Sequence, residues 1–401
     1  MSETSQGLPL AGVRVLDLSR VLAGPMCAQA LGDLGAEVIK VEHPARGDDT
    51  RDWGVRIAAT NTAYFNSANR NKRSIGLDLQ TEQGQRIARE LAAKSDVVIQ
   101  NFKTGGIEKL GLGYETLREL NPKLVFCSIT GYERSGVEAK RPGYDLVVQG
   151  EAGLMALNGE EGQGPLKFGI AAVDMFTGMF SAQAILAALF DAQRTGKGRH
   201  VEMALYDSGL MITSYYGMEA LLLEQDPPKY GNAHPSIVPY GVFDAADGPL
   251  VITVGNNAQF ARFCEAIERP DLAADERFKT NIGRGQNRVA LMEQVGPELL
   301  KRKRADLLAK LAAAGIPCGE VLGLLEALRS ERTQRAGLLT QRDYPEATDV
   351  PVMAPPYKLD GERTPVRLAP PSLGEHTREI LSSVLGMKDA EIDTLKTNGV
   401  L

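Results

Sequence analysis

One stretch of this chain sets a lone carboxylate where chemistry is conceivable. From Gly169 to Phe190 the residues are almost all small or apolar, and the one carboxylate among them is Asp174. The run predicts a buried helix with Asp174 near its start. An aspartate there has two uses. As a cap it accepts a first-turn backbone N–H and contributes about 1 kcal/mol. As a nucleophile it is held ionised by the positive end of the helix dipole and can form a covalent acyl intermediate. The residues alone leave both open.

Other chemistry-bearing residues are less concentrated. Between Lys40 and Arg73 stand seven basic residues (Lys40, Arg46, Arg51, Arg56, Arg70, Lys72, Arg73) against four acidic ones (Glu42, Asp48, Asp49, Asp52). Such a segment suits a polyanionic small molecule, or simply a solvated face. The whole chain carries 45 basic and 51 acidic side chains, a net charge of −6, which argues against general nucleic-acid or membrane-surface binding. Cys27, Cys127, Cys264 and Cys318 are far apart and lack a CxxC pair, so reduced, mostly buried thiols are expected. His43, His200, His234 and His376 are equally scattered and spell no metal motif.

The elements that must position these residues read as α/β. Val13–Leu18 is an expected strand, broken at Ala23-Gly24-Pro25, with a helix over Met26–Leu34 that Gly35 ends. Strands follow at Glu37–Glu42, Ser74–Leu79, Asp96–Phe102 and Leu124–Ile129, with an amphipathic helix at Thr81–Lys94. Strands separated by helices of this length imply parallel βαβ units. No GxGxxG follows the first strand and no GxxxxGK[ST] occurs, which sets dinucleotide and P-loop readings aside. A breaker cluster at Asp226-Pro227-Pro228 opens a second region, with a hairpin of Pro239–Phe243 and Leu250–Val254 and helices at Asn257–Ala266, Arg284–Leu300 and Arg304–Ala314. With 401 residues, 43% hydrophobic and 24% charged, two to three ordinary globular domains, or one large fold with an insertion, are expected. The longest apolar stretch, around Ala182–Phe190, falls short of the roughly 20 residues that cross a bilayer. The N-terminus lacks the pattern of a secretory signal, so a cytoplasmic location is expected.

Several segments in order resemble the class III CoA-transferase family, also called formyl-CoA transferase or carnitine-CoA-transferase-like. They include Leu16–Pro25, Gly35–Glu42, Gly47–Arg51, Asn69–Ser74, Gln100–Phe102, Gly131-Tyr132, Pro142–Asp145, Val173-Asp174, Thr195–Arg199 and Gly374–Thr377. The resemblance implies a doubly wound parallel sheet (Rossmann-like) in a large domain built from both chain ends, 1–224 and 322–401. A smaller α+β domain would span 225–321, and two subunits would interlock as a homodimer. It implies that Asp174 attacks an acyl-CoA thioester to give a mixed anhydride, and that the CoA thiolate returns to make an aspartyl-CoA thioester, which an acceptor carboxylate then attacks. No tightly bound cofactor or metal is implied; the CoA thioester is a substrate.

The same resemblance assigns CoA contacts to Val21, Leu22, Lys40, Arg46, Lys72, Arg73, Asn101, Phe102, Lys109 and Tyr144. The pattern looks most like a branch that uses succinyl-CoA and dicarboxylic acids. A second anionic group then needs a cation, and Arg20 and Arg70 are the candidates for holding it bidentately. His234 and Tyr240 would add hydrogen bonds. Val254-Gly-Asn-Asn257 corresponds to a glycine-rich covering loop, but carries only Gly255, so Asn256 stands as a candidate substrate contact in its place. Two rivals are an α-methylacyl-CoA racemase and a catalytically idle CoA-binding protein. The racemase histidine would fall where Tyr144 stands, and a tyrosine with a pKa of about 10 is a poor base at neutral pH.

Overall fold

Strand segments with near-continuous apolar runs must be covered on both faces, and in the computed structural model they are. The structure describes residues 7–344 and 347–401. Its main sheet contains β1 (Arg14–Asp17), β2 (Glu37–Glu42), β3 (Lys72–Gly76), β4 (Val97–Gln100), β5 (Val125–Thr130) and β6 (His200–Ala204). All neighbours pair in parallel, in the order β3-β2-β1-β4-β5-β6. Alternate residues face opposite layers. Val15, Val97, Val125 and Cys127 pack into one core, and Leu16, Val98 and Phe126 into the other. This is the doubly wound α/β fold that the strand–helix alternation and the resemblance predicted. The order reverses between β1 and β4, so their carboxyl ends open a crevice, the usual ligand position in such sheets.

The first core holds α1 (Ala23–Asp33), and the second α2 (Glu82–Ala93), which Thr81 caps at the Gly84 N–H. Three further helices frame the crevice: α3 (Asp145–Glu151), α4 (Ala172–Thr195) and α5 (Leu205–Met211). A Cβ at Gly178 of α4 would lie 2.7 Å from the Ala23 carbonyl, so glycine is what lets α4 lie close against α1. The absence of a long apolar span does not hold: by length and composition alone α4, 24 residues with a mean hydropathy of 1.5 over its best window, is long enough to cross a bilayer. It is nevertheless a core helix, with Val173, Ala182, Ile185 and Leu189 buried against α1 and the sheet.

Two strands depart from expectation. β3 begins two residues before the Ser74–Leu79 alternation, because Lys72 enters the sheet with its charge paired. β6 was missed: it is a half-buried edge strand whose apolar alternation is interrupted by His200 and Glu202.

The chain divides into two compact units. The first comprises the described residues to Leu154, Phe168–Met218 and Glu331–Leu401, and the second Met155–Lys167 and Glu219–Ser330. Segments 155–167, 219–224 and 322–330, read from the sequence as parts of the large domain, thus lie in the second unit. That unit has its own core around Leu250, Phe260, Phe263, Leu291 and Leu307. The expected hairpin, Tyr240–Ala245 with Gly248–Thr253, gains a third antiparallel strand at Cys318–Glu320.

Candidate active site

The crevice contains Asp174. A cleft of about 190 Å³ is walled by Arg20–Ala23 after β1, Asn101–Thr104 after β4, Ile129–Tyr132 at the end of β5, the 139–144 loop, Leu205 and Asp174. Gly131 and Gly143 close that loop backbone to backbone, since a Cβ on either would come within 2.6 Å of the other's Cα. A second cleft of about 220 Å³ continues along β2, lined by Lys40–His43, Arg46–Asp49 and Leu77–Gln80. Neither alone reaches the ~300–1,000 Å³ usual for a bound cofactor. Arg20, Asp49 and Phe102 line both, so the two form one elongated groove.

Asp174 lies in the first turn of α4, whose N-terminal residue Ala171 supplies no side-chain cap. The cap comes from α3: the Asp174 N–H donates to Asp145 Oδ1 at 3.1 Å. No hydrogen bond or ion pair reaches the Asp174 carboxyl oxygens among the described residues. Burial, and then the neighbouring Asp145 carboxylate, push its pKa up to about 7. Burial and the Asp145 charge thus act against the helix dipole, which favours the ionised form. A dipole is worth roughly 0.3–1 kcal/mol at a helix end, which is less than desolvation and a like charge withdraw.

Beneath the loops lies a different set of charges. Lys72 Nζ donates to Asp17 Oδ2, the Pro25 carbonyl and Asn69 Oδ1 at 2.8–2.9 Å, and is fully buried. Lys40 Nζ, equally buried, donates to Asp48 Oδ2 and the Ser19 carbonyl, both at 2.9 Å. Burial alone would raise the Asp48 carboxyl, but Lys40 and the Thr50 N–H and hydroxyl hold it at about 2. Burial, helped by Lys40, brings Lys72 down to about 8 against the pull of Asp17. Asp48 also accepts the Val21 N–H, at 3.2 and 3.3 Å to its two oxygens, and Val21 has φ +72°. The cluster thus fixes the strained turn that carries Arg20–Ala23 into the cleft.

These contacts correct several expectations. Lys72 spends three donors on the protein and has none left for a phosphate. Lys40 borders the second cleft, but its ammonium is sealed in an ion pair with Asp48, and Arg73 pairs with Glu37 and Glu379. Arg70 is buried in a bidentate pair with Asp33, at 2.9 and 2.5 Å, and lines neither cleft. Lys109 is exposed at the end of the short Gly106–Lys109 helix and lines neither cleft.

The remaining candidates are brought together. Val21, Leu22, Asn101, Phe102, Tyr144 and Arg20 all line the Asp174 cleft, and exposed Arg46 lines the second. Asn101 pins Arg20 by accepting its N–H at 2.9 Å and donating to its carbonyl at 2.7 Å. The Arg20 guanidinium is half exposed and makes one long contact, 3.3 Å, to Asp49.

His234, Tyr240 and Asn256 belong to the second unit. The His234 ring packs on Tyr240 at 5.2 Å, and its Nδ1 accepts the N–H groups of Ser236 and Ile237. Asn256 caps the Asn257–Ala266 helix through the Gln259 N–H at 2.9 Å, so Val254–Asn257 is a helix start here. Arg284, wholly buried, steadies both segments by donating to the Val238 and Phe278 carbonyls and to Asn257.

Sequence reasoning missed Asp145, Gln149 and Asp48. Asp145 ends the Pro142-Gly-Tyr-Asp145 motif, and Gln149 stands four residues on, the spacing that puts both on one face of a helix.

Comparison with known proteins agrees with this geometry. Residues 10–377 match the model of CoA-transferase family III. The succinate–glutarate CoA-transferase of Agrobacterium fabrum is 42% identical over 384 residues, covering 94% of this chain and 96% of that protein. The succinyl-CoA:glutarate CoA-transferase of Mus musculus is 39% identical over 393 residues, covering 98% and 90%. A CAIB/BAIF family protein from Brucella suis superposes with a TM-score of 0.83 at 41% identity, covering 94% of this chain and 100% of that one. The chain belongs to CoA-transferase family III and is an enzyme of CoA transfer.

Proposed function

We propose that the enzyme moves CoA from succinyl-CoA to a dicarboxylic acid, with Asp174 as the nucleophile. The observation that carries this reading is a carboxyl group at the crevice of the sheet that no cation neutralises and no donor occupies. An Asp174 oxygen attacks the thioester carbonyl carbon, the C–S bond breaks, and the electron pair leaves on the CoA thiolate as a mixed anhydride forms. The thiolate then attacks the Asp174 acyl carbon and releases succinate. The acceptor carboxylate attacks the resulting aspartyl thioester, and the thiolate finally takes the acyl group from the second anhydride and frees Asp174. Each step exchanges an anhydride with a thioester, so the donor's bond energy is retained while water is excluded.

The groove supports the CoA assignment. Its length along β1, β2 and β4 suits an extended chain, and the first turn of α1, which has no side-chain cap, faces it at Ala23. Arg20, half exposed and weakly paired, is the cation proposed for the acid's distal carboxylate. The exposed apolar residues Phe176, Met179 and Phe190 of α4 support a second copy of the chain as their cover.

The test is mass spectrometry of products from succinyl-CoA incubated separately with glutarate, itaconate, citramalate, oxalate and the monocarboxylates acetate and butyrate. The reading predicts a new CoA thioester matched mole for mole by succinate. Turnover of acyl-CoA with monocarboxylates alone would overturn the dicarboxylate assignment.

A further inference from the structure

Asp145 is held more firmly than a surface helix residue needs to be. Gln149, itself buried, donates to Asp145 Oδ2 at 2.6 Å and to the Ile170 carbonyl at 3.3 Å, and accepts the Phe168 N–H at 2.9 Å. One glutamine therefore ties α3 to the irregular segment entering α4. The other Asp145 oxygen, Oδ1, accepts the Asp174 N–H. No ion pair neutralises Asp145 among the described residues. Tyr64, from the Ala63–Ser67 helix, feels both carboxylates. The remaining charged or titratable groups of the cleft walls are Arg20, Asp49, Lys103, Lys140, Arg141, Tyr132 and Tyr144, of which Arg141 is engaged by Glu138 and Glu151.

We propose that Asp145 is a positioning residue for Asp174: clamped by Gln149, its carboxylate fixes the first turn of α4 and keeps a negative charge beside the Asp174 carboxyl. This rests on Asp174 being the nucleophile. The charge matters because Asp174 loses its own when acylated. Repulsion raises the free energy of the free Asp174 carboxylate and vanishes in both the anhydride and the aspartyl thioester. Asp145 thereby favours the acyl-enzyme forms and makes Asp174 the more basic, stronger nucleophile. The direction agrees with the raised Asp174 pKa.

The experiment compares wild type, Asp145→Asn and Asp145→Glu. For each, kcat/KM is followed from pH 5 to 9, and the Asp174 peptide is examined for a hydroxylamine-trapped adduct during turnover. Wild type is expected to lose rate below about pH 7. Asp145→Asn should move that acid limb down by about one unit, slow transfer at pH 8 roughly tenfold, and lower the trapped fraction. Asp145→Glu keeps the charge and should leave the limb in place. A folded Asp145→Asn enzyme with an unmoved limb overturns the proposal. If that variant does not fold, Asp145→Ser, smaller and still able to accept the N–H, carries the same comparison. If neither folds, a ¹³C titration of Asp174 in wild type decides, and a midpoint below pH 5 overturns the proposal. A wild-type Asp174 peptide that never carries an adduct instead removes the nucleophile assignment, whatever Asp145 does.

Discussion

Two pairs of carboxylates near the crevice are treated in opposite ways: Asp17 and Asp48 are fully buried, whereas Asp145 and Asp174 keep partial exposure. Asp17 and Asp48 are each matched by a buried ammonium and by further donors, and both pKa values are lowered. Asp174 and Asp145 are neighbours with no ion pair to either among the described residues, and Asp174 is raised to about 7. The first pair organises the loops, and the second is left uncompensated at the cleft. Burial alone therefore does not mark a functional acid in this protein. What sets Asp174 apart is desolvation without a counter-charge among the described residues, the mark expected of a reacting group.

Substitutions sharpen the contrast, and the largest effect is expected at the uncompensated site. Asp174→Asn should reduce CoA transfer by roughly 10⁴-fold or more while the protein stays folded, as measured by product formation and circular dichroism. Next is the compensated pair. Lys72→Met strands Asp17 in the core and should cost about 3–5 kcal/mol in urea unfolding. A loss below about 1 kcal/mol would show that the cluster is not the neutralised scaffold described above.

Asp174→Asn should also stabilise the protein. Its folded-state pKa lies above the unfolded value near 4, so the native state binds the extra proton between about pH 4 and pH 7 and stability falls as pH rises through that window. Allowing for partial exposure, the variant should gain about 1–2 kcal/mol at pH 8 and nothing at pH 4. Equal melting temperatures at pH 8 would contradict this. The smallest effect on the fold is expected at Arg20. Arg20→Ala should leave stability within about 0.5 kcal/mol while raising KM for a dicarboxylic acid about tenfold or more, the equivalent of one charge-assisted hydrogen bond. Arg70→Ala should do the reverse, destabilising through Asp33 with KM unchanged.

Much of the scaffold was legible because its strands are short apolar runs set between helical segments, of which Glu82–Ala93 is both capped and amphipathic. Glu37–Glu42 and Asn257–Ala266 coincide with the observed elements residue for residue. Asp174 was legible from the residues only as one of two alternatives, and the resemblance carried by the ordered motifs is what favours the nucleophile. Lys40, Lys72 and Arg70 were misjudged for a common reason: a charged residue in a strand or turn reads as solvent-facing or ligand-facing unless its partner is known. Those partners, Asp48, Asp17 and Asp33, come from other elements at separations of 8, 55 and 37 residues. Asp145 was hidden differently. It stands in a motif already singled out, but its relation to Asp174 spans 29 residues and exists only once α3 lies against the start of α4.

The most direct test of the central claim is to quench the enzyme during turnover of succinyl-CoA and weigh the peptide that contains Asp174. The account predicts a succinyl or CoA adduct on that residue, chased to zero on adding acceptor and absent from Asp174→Asn. Full transfer activity with no adduct on Asp174, or activity retained in Asp174→Asn, would contradict it.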